Sequence, residues 1–181
     1  MFARTKRLTL RPAWPEDAPA LAQAIGHEDV ARMLKRAPFP YTVDDAESFC
    51  TQPRGGTEPR FLIVAHDDAQ PRLIGGIGLV DHGEADVQLG YWLTPSAWGR
   101  GYATEAGRAV IDMARHALPL RRIGAWHFVD NPASGAVLRK LGFRPTGRIA
   151  SRRSAARAEA SPAVCYALEL KDDRPTLQIA A

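Results

Sequence analysis

Two short stretches concentrate the residue types from which a binding or catalytic site could be built. The first is "WGRGYATEA", Trp98 to Ala106, in which Gly99 and Gly101 flank Arg100 just ahead of a helical apolar repeat. A helix N-terminus carries unpaired backbone N–H groups and the positive end of the helix dipole, so it can hold an anion. With no side chains at 99 and 101, the N–H groups of Arg100 to Ala103 can converge on a phosphate. The same glycines also suit a plain strand-to-helix turn that needs their backbone angles, and the residues alone leave both readings open. The second stretch is "NPASGAVLRKLGF", Asn131 to Phe143, which sets the amide of Asn131 and the hydroxyl of Ser134 at the start of another helix. Asn131 there makes a good N-cap, and Ser134 is unremarkable at the third helical position.

Other phosphate-binding patterns fail. Nothing in the chain matches G-x-x-x-x-G-K-[ST]. A dinucleotide fingerprint would need Gly or Ala where Thr104 stands, and an acid about 20 residues on, where Arg121 and Arg122 lie. "IGGIG", Ile74 to Gly78, runs into strand residues instead of a helix and reads as a bulge or a close backbone contact. The net charge of +4 and pI near 9.4 suit an anionic ligand. No concentrated basic stripe is present, so no nucleic-acid partner is expected. Cys50 and Cys165 stand far apart without a C-x-x-C or paired His spacing, which points to no metal site and no disulfide framework. A reduced, cytoplasmic setting is expected, with no export leader and no apolar run long enough for a membrane span.

The elements that must position these stretches can be read from periodicity and punctuation. "RLTLRPA" is a strand with Leu8 and Leu10 on one side, followed by a helix from Pro15 to about Ile25 and a short helix over "DVARML". Thr42 caps a third helix, "VDDAESFC", and Gly55-Gly56 end that region. "RFLIVAH" and "RLIGGIGLVD" form a hairpin, and "ADVQLGYWLTP" is the next strand, stopped by Pro95. A helix runs from Tyr102 to about His116, then come the strand "RRIGAWHFVD", the helix that Asn131 opens and Gly142 closes, and two strands, about Thr146 to Arg152 and Ala163 to Glu169. The order β, helices, βββ, α, β, α, ββ describes one α+β domain over residues 1–181, with a core of about 4–171 on a single mixed sheet.

The series "GYWLTPSAWGRGYATEA", then a strand, then "NPASGAVLRKLGF" closely resembles the GNAT superfamily of acyl-CoA-dependent N-acetyltransferases, in the branch typified by ribosomal-protein alanine N-acetyltransferases. The resemblance spans roughly Arg4 to Leu170. It implies a splayed sheet flanked by helices, with acetyl-CoA as acyl donor and an amine acceptor, a small molecule or a protein N-terminus. It further implies a pyrophosphate loop at Gly99, Arg100, Gly101, Tyr102 and Ala103, with Trp98 and Thr104 at its ends among the cofactor-binding residues. Leu93 and Thr94 would lend backbone groups to the pantetheine arm. In many members a Tyr on the last helix protonates the departing thiolate, but Leu138 holds that position here. The branch instead carries Asn and Ser, matched by Asn131 as a polar contact to the cofactor arm and by Ser134 as the proton donor.

For the general base, the branch often has an acid where this chain has Gln88. The candidates nearby are Asp86, Glu84 and His127, with Asp86 preferred, although an amine of low pKa needs only water. His127 reads as a packed histidine, Tyr91 and Trp92 as core, and Glu105 as an acid serving its helix dipole. The alternative function is a non-catalytic acyl-CoA sensor or interaction module. A monomer or homodimer is expected, with no membrane partner.

Overall fold

The computed structural model describes residues 2–52, 59–81 and 86–170. Gly55-Gly56 and Glu84 lie outside the described residues. Eight strands form one sheet: β1 (Ala3–Arg4), β2 (Leu8–Arg11), β3 (Arg60–Ala65), β4 (Arg72–Val80), β5 (Gln88–Leu93), β6 (Arg122–Phe128), β7 (Arg144–Arg152) and β8 (Ser161–Glu169). Their order across the sheet is β1-β2-β3-β4-β5-β6-β8-β7, and among the described residues only the β5–β6 pair is parallel. The helices are α1 (Ala18–Ile25), α2 (Glu28–Ala31), α3 (Val43–Thr51), α4 (Tyr102–Ala117) and α5 (Pro132–Lys140). The expected element order therefore holds, with one addition: the two-residue β1, which folds back on β2. The first helix is split, because Pro15–Asp17 forms a 3-10 turn before α1.

Each face of the sheet is covered by a different set of helices, and the alternation of the strands explains how. Leu8 and Leu10 of β2, Ile63, Ile77 and Leu79 join Ala106, Val110 and Ala114 of α4 and Leu138 of α5 in one core. Leu62 points to the opposite face, where Leu21 and Ala22 of α1 meet Ala46 and Cys50 of α3. Leu8, Leu10, Ile63, Ile74, Val110 and Leu138 are almost wholly removed from solvent. At roughly 1.5–3 kcal/mol per fully buried aliphatic side chain, these layers supply the rigidity on which the site depends.

Local signals set the helix ends. Thr42 and Asp45 form a reciprocal capping box: Asp45 N–H donates to Thr42 Oγ1 at 3.2 Å, and Thr42 N–H to Asp45 Oδ2 at 2.9 Å. At the end of α5, Gly142 takes φ +91°. Its N–H donates to the Arg139 carbonyl and that of Phe143 to the Leu138 carbonyl, a Schellman closure.

The register of β4 and β5 creates a fork. Val64 pairs with Leu73 and Ile63 with Gly75, so Ile74 is an extra residue, a bulge within the "IGGIG" stretch. Close approach also operates there, since a Cβ on Gly76 would lie 2.7 Å from the indole Nε1 of Trp92. Thr94 N–H donates to the Ile74 carbonyl at 2.8 Å. In an antiparallel ladder hydrogen-bonded pairs alternate, so the backbone groups of Leu93 and Tyr91 turn away from β4, toward β6. Yet among the described residues β5 and β6 share only the Gln88–Gly124 rung. Beyond it β6 continues along β8 as far as Phe128, while β5 diverges. The strand pair opens into a wedge toward which the backbone of Tyr91 and the N–H of Leu93 turn, with no strand partner among the described residues.

Candidate active site

At one end of the wedge lies the glycine turn. Gly99 and Gly101 adopt φ of +73° and +79°, the left-handed region, which explains the residue type at both positions. A Cβ added at Gly99 would meet nothing within 4 Å, and one at Gly101 only Arg7 Nη2 at 3.7 Å. The turn is therefore open on its outer side. The first bond of α4 runs from Glu105 N–H to the Gly101 carbonyl at 3.1 Å. The N–H groups of Tyr102, Ala103 and Thr104 consequently have no backbone acceptor among the described residues, and they stand at the positive end of a 16-residue helix. The two readings of the glycines are thus compatible: a backbone-angle requirement that leaves a set of N–H donors without a backbone acceptor at the helix mouth.

Long-range contacts brace this turn. Arg7 bonds Glu105 at 2.7 Å and also donates to the Arg100 carbonyl at 3.0 Å. Glu105 additionally accepts from Thr5 Oγ1 at 2.6 Å and from Arg7 N–H at 3.0 Å. Burial pushes the Glu105 carboxyl up, but the hydrogen bonds from Thr5 and Arg7 outweigh it and leave its pKa lowered. Glu105 stands in the first turn of α4, where an acid serves the helix dipole, and its carboxylate also ties α4 to the β1–β2 turn. Tyr102 is fully buried, its hydroxyl donating to both oxygens of Asp67, with the guanidinium groups of Arg7 and Arg100 at 4.5 and 5.0 Å from its ring centroid. That bond holds Asp67 below the usual carboxylate range. The Thr104 side chain is buried too, so Tyr102 and Thr104 can offer a ligand only their backbone. The half-exposed Trp98 donates its indole N–H to the Leu93 carbonyl at 2.8 Å and so fixes the end of β5. Because the Thr94 N–H is spent on Ile74, Leu93 and not Thr94 presents its N–H to the wedge.

At the mouth of α5, Asn131 Oδ1 accepts the Ser134 N–H at 3.2 Å, the N-cap arrangement. The Ser134 hydroxyl has a partner the sequence reading assigned to the core. Tyr91 places its phenol oxygen 2.7 Å from Ser134 Oγ and donates to the Ser134 carbonyl at 3.1 Å. Burial pushes the Tyr91 phenol up to about 12, against a smaller opposite pull from Ser134, so it stays protonated at neutral pH. Period-two alternation set Tyr91 opposite Trp92, but nothing in the sequence said which of the two faces α5. Leu138, at the position of the absent helical Tyr, is core.

Asp86 is not brought to this pair. It lies before the closed end of the wedge, 3.4 Å from Arg122 Nε. Gln88 marks that closed end, buried, its amide donating to the Asp86 carbonyl at 3.0 Å and its side chain lying over Gly124. His127 is buried, with Nδ1 2.7 Å from the Phe128 carbonyl and Nε2 packed against Gly135.

On the other face of the wedge is a cavity of about 430 Å³. Its floor is Gly76, Gly78 and Gly90, set between Trp92 and Trp126, and its roof comes from residues 33–38, Tyr41 and α3. Gly78 and Gly90 are cross-strand partners, and a Cβ on Gly90 would meet nothing within 4 Å. Among the described residues no helix is long and apolar enough to cross a membrane, and no group of three or more His, Cys, Asp or Glu could hold a metal ion.

A half-open parallel strand pair thus has a glycine turn at one end and, beside it, a separate cavity whose lining includes Gly90 and Tyr91. Residues 7–144 match the family described as acetyltransferase (GNAT) domain. YoaA of Bacillus subtilis, named an uncharacterized N-acetyltransferase, is 31% identical over 150 residues, covering 79% of this chain and 82% of its own. Among solved structures, the ribosomal-protein-S5-alanine acetyltransferase from Vibrio fischeri matches with a TM-score of 0.78 at 19% identity, covering 97% of this chain and all of the other. The spermidine N-acetyltransferase from Vibrio cholerae, solved with CoA and spermine, matches with a TM-score of 0.73 at 19% identity over 92% of this chain and 97% of the other. This chain belongs to the GNAT acetyltransferase family.

Proposed function

We propose that the protein moves an acetyl group from acetyl-CoA directly to a primary amine, with both substrates bound at once. The observation that carries this reading is the wedge between β5 and β6, with the open turn at Gly99–Gly101 at one end and the Tyr91–Ser134 pair beside it. Backbone N–H groups of Tyr102, Ala103 and Thr104 take the pyrophosphate, and Gly99 and Gly101 keep the approach clear. The Leu93 N–H meets an amide of the extended arm, which lies along β5 as a missing strand would. Trp98 holds the Leu93 carbonyl, and Arg100 is occupied near Asp67, so these two shape the turn more than they grip the ligand.

Chemistry requires a neutral amine, a partner for the carbonyl oxygen as it gains charge, and a proton for the sulfur. The amine nitrogen forms its bond to the acetyl carbon, the carbon–sulfur bond breaks, and the sulfur takes a proton. Ser134 Oγ gives that proton, and the one shed by the amine returns through water. Tyr91 fixes the Ser134 hydroxyl in place. Asn131 supports the pair by capping α5, and its amide faces the cofactor arm. Asp86, already paired with Arg122, has no part in this scheme, and the amine loses its proton to water. A panel of primary amines tests the proposal: thiol release from acetyl-CoA that depends on an amine supports it. A folded protein that binds acetyl-CoA and releases no thiol with any amine would leave the sensor reading standing.

A further inference from the structure

The roof of the cavity is held in place by a side chain that lies behind it. Resting on the reading of this cavity as the acceptor site, we propose that Arg157 is a positioning residue for the acceptor amine: it locks residues 31–35, which run into the roof, to the turn that opens α5. Arg157 stands in the segment 153–160 between β7 and β8, and its side chain is only 11% exposed, so its charge needs partners. Each of its three side-chain nitrogens has one. Nε donates to the Arg32 carbonyl at 2.7 Å, Nη1 to Ser161 Oγ at 3.3 Å and Nη2 to Asp130 Oδ1 at 2.9 Å, while Nη2 also reaches the thioether of Met33, a lining residue, at 3.3 Å. Cζ lies 4.2 Å from the ring centroid of Phe128, at the end of β6. A planar guanidinium engaged in several directions fixes the relative placement of its partners, which a single bond cannot do. One of those partners, Asp130, immediately precedes Asn131, the cap of the helix that carries Ser134.

The roof depends on this clamp because little else holds it. The helix that leads into it, α2, is one turn of four residues, too short to persist by itself. The core cluster at that place consists of Ile25, Val30, Ala31 and Ala37, two of them alanines with little apolar area to bury. Two further bonds reach the same stretch: Ser154 Oγ donates to the Ala31 carbonyl at 3.3 Å and Ala155 N–H to the Lys35 carbonyl at 3.1 Å. Both come from the segment 153–160, so they steady the roof only as far as that segment is itself steadied, and Arg157 ties it to Asp130 and Phe128. The glycine turn is braced separately, by Arg7 and Glu105. Loss of the clamp therefore reaches the amine and spares acetyl-CoA.

Two variants test this. Arg157→Met keeps the length of the side chain and removes every donor; Arg157→Lys keeps the charge near Asp130 but cannot serve Asp130 and the Arg32 carbonyl in the same fork, and it decides the matter if the Met variant does not fold. Hydrogen exchange read by mass spectrometry reports on the clamp: peptides containing Met33, Leu34 and Ala155, whose N–H groups bond to Val30, Ala31 and Lys35, should exchange at least about tenfold faster in Arg157→Met and less so in Arg157→Lys, with α4 unchanged. Thiol release with phenethylamine, glycinamide and spermine reports on the acceptor: for each probe turned over, KM should rise about tenfold in Arg157→Met and about threefold in Arg157→Lys, with kcat within about threefold and acetyl-CoA affinity within about twofold of wild type. A protein that was merely less stable would lose active molecules and hence kcat, with KM unmoved. Exchange at the roof that neither variant changes, faster exchange that extends equally to α4, or a fall in kcat at constant KM overturns the proposal. Thiol release with none of the probes by the wild-type protein would overturn the acceptor role together with the acetyl-transfer reading, whereas unchanged KM beside normal turnover and a loosened roof would overturn the acceptor role alone.

Discussion

Tyr91→Phe isolates one hydroxyl at the wedge. The ring stays, and what goes is the 2.7 Å contact with Ser134 Oγ and the 3.1 Å bond to the Ser134 carbonyl. Losing a neutral hydrogen bond costs about 0.5–1.5 kcal/mol net, and up to about 3 kcal/mol if a buried partner stays unsatisfied. For a chain of 181 residues, Tm should drop by roughly 1–6 °C, and by up to about 12 °C if the partner stays unsatisfied. Turnover should suffer more. Without the phenol the Ser134 hydroxyl is free to sample about three staggered positions, which alone costs about threefold, and the loss of a polarising partner brings the expected fall in kcat to about tenfold. Ser134→Ala removes the donor itself and should cost about 100-fold, the lower end for general acid catalysis because a thiolate leaves easily. Single-turnover thiol release separates these effects from product release, and equilibrium titration should find acetyl-CoA affinity within about twofold of wild type for both variants. The double variant decides the matter: if Tyr91 works through Ser134, it should be no slower than Ser134→Ala alone, a coupling of about 1.4 kcal/mol. Losses that multiply to about 1000-fold would show that Tyr91 acts independently and refute the positioning role. Because the Tyr91 phenol is raised to about 12, kcat should show no falling limb from it up to about pH 10, and a limb there that vanished in Tyr91→Phe would equally refute the reasoning.

Three further outcomes follow from the geometry. Gly90→Leu adds a side chain where a Cβ meets open space and φ lies outside the left-handed region, so the fold should tolerate it; kcat/KM for the amine should fall at least about tenfold with acetyl-CoA binding intact, as measured by initial rates and calorimetry. Gly101→Val forces a β-branched residue to φ +79° beside the N–H groups of the helix mouth and should weaken acetyl-CoA binding by about 1–3 kcal/mol in a calorimetric titration; unchanged affinity would place the pyrophosphate elsewhere. Glu105→Gln should cost about 1 kcal/mol or less at neutral pH, because the Arg7–Glu105 pair is 31% and 20% exposed. The folded-state pKa of Glu105 is lowered, so its contribution is present above the ordinary value of 4.5 and fades as pH falls through the lower folded value; the Tm gap between wild type and variant should close in acid, and a gap that persisted there would assign it to something other than ionisation.

What could be read from the sequence and what could not divide along the range of the interactions involved. The Thr42 cap, the Gly142 stop and the glycine turn are local devices, and each took the expected form, because a cap or a left-handed glycine is decided by residues a few positions apart. Leu8 and Leu10 on one face, and the order of the elements, followed from periodicity in the same way. The wedge is different: it arises because β8, the last strand, occupies the far edge of β6, while a single rung at Gln88–Gly124 joins β6 to β5. Both central partnerships, Tyr91 with Ser134 and Glu105 with Thr5 and Arg7, span tens of residues, so no spacing could announce them. Tyr91 is partly buried against the core, and only the side of β5 on which it falls turns its hydroxyl from a packing detail into a handle on Ser134. Motif reading places polar groups at helix mouths, but which of them can exchange a proton with a substrate depends on the strand that faces them.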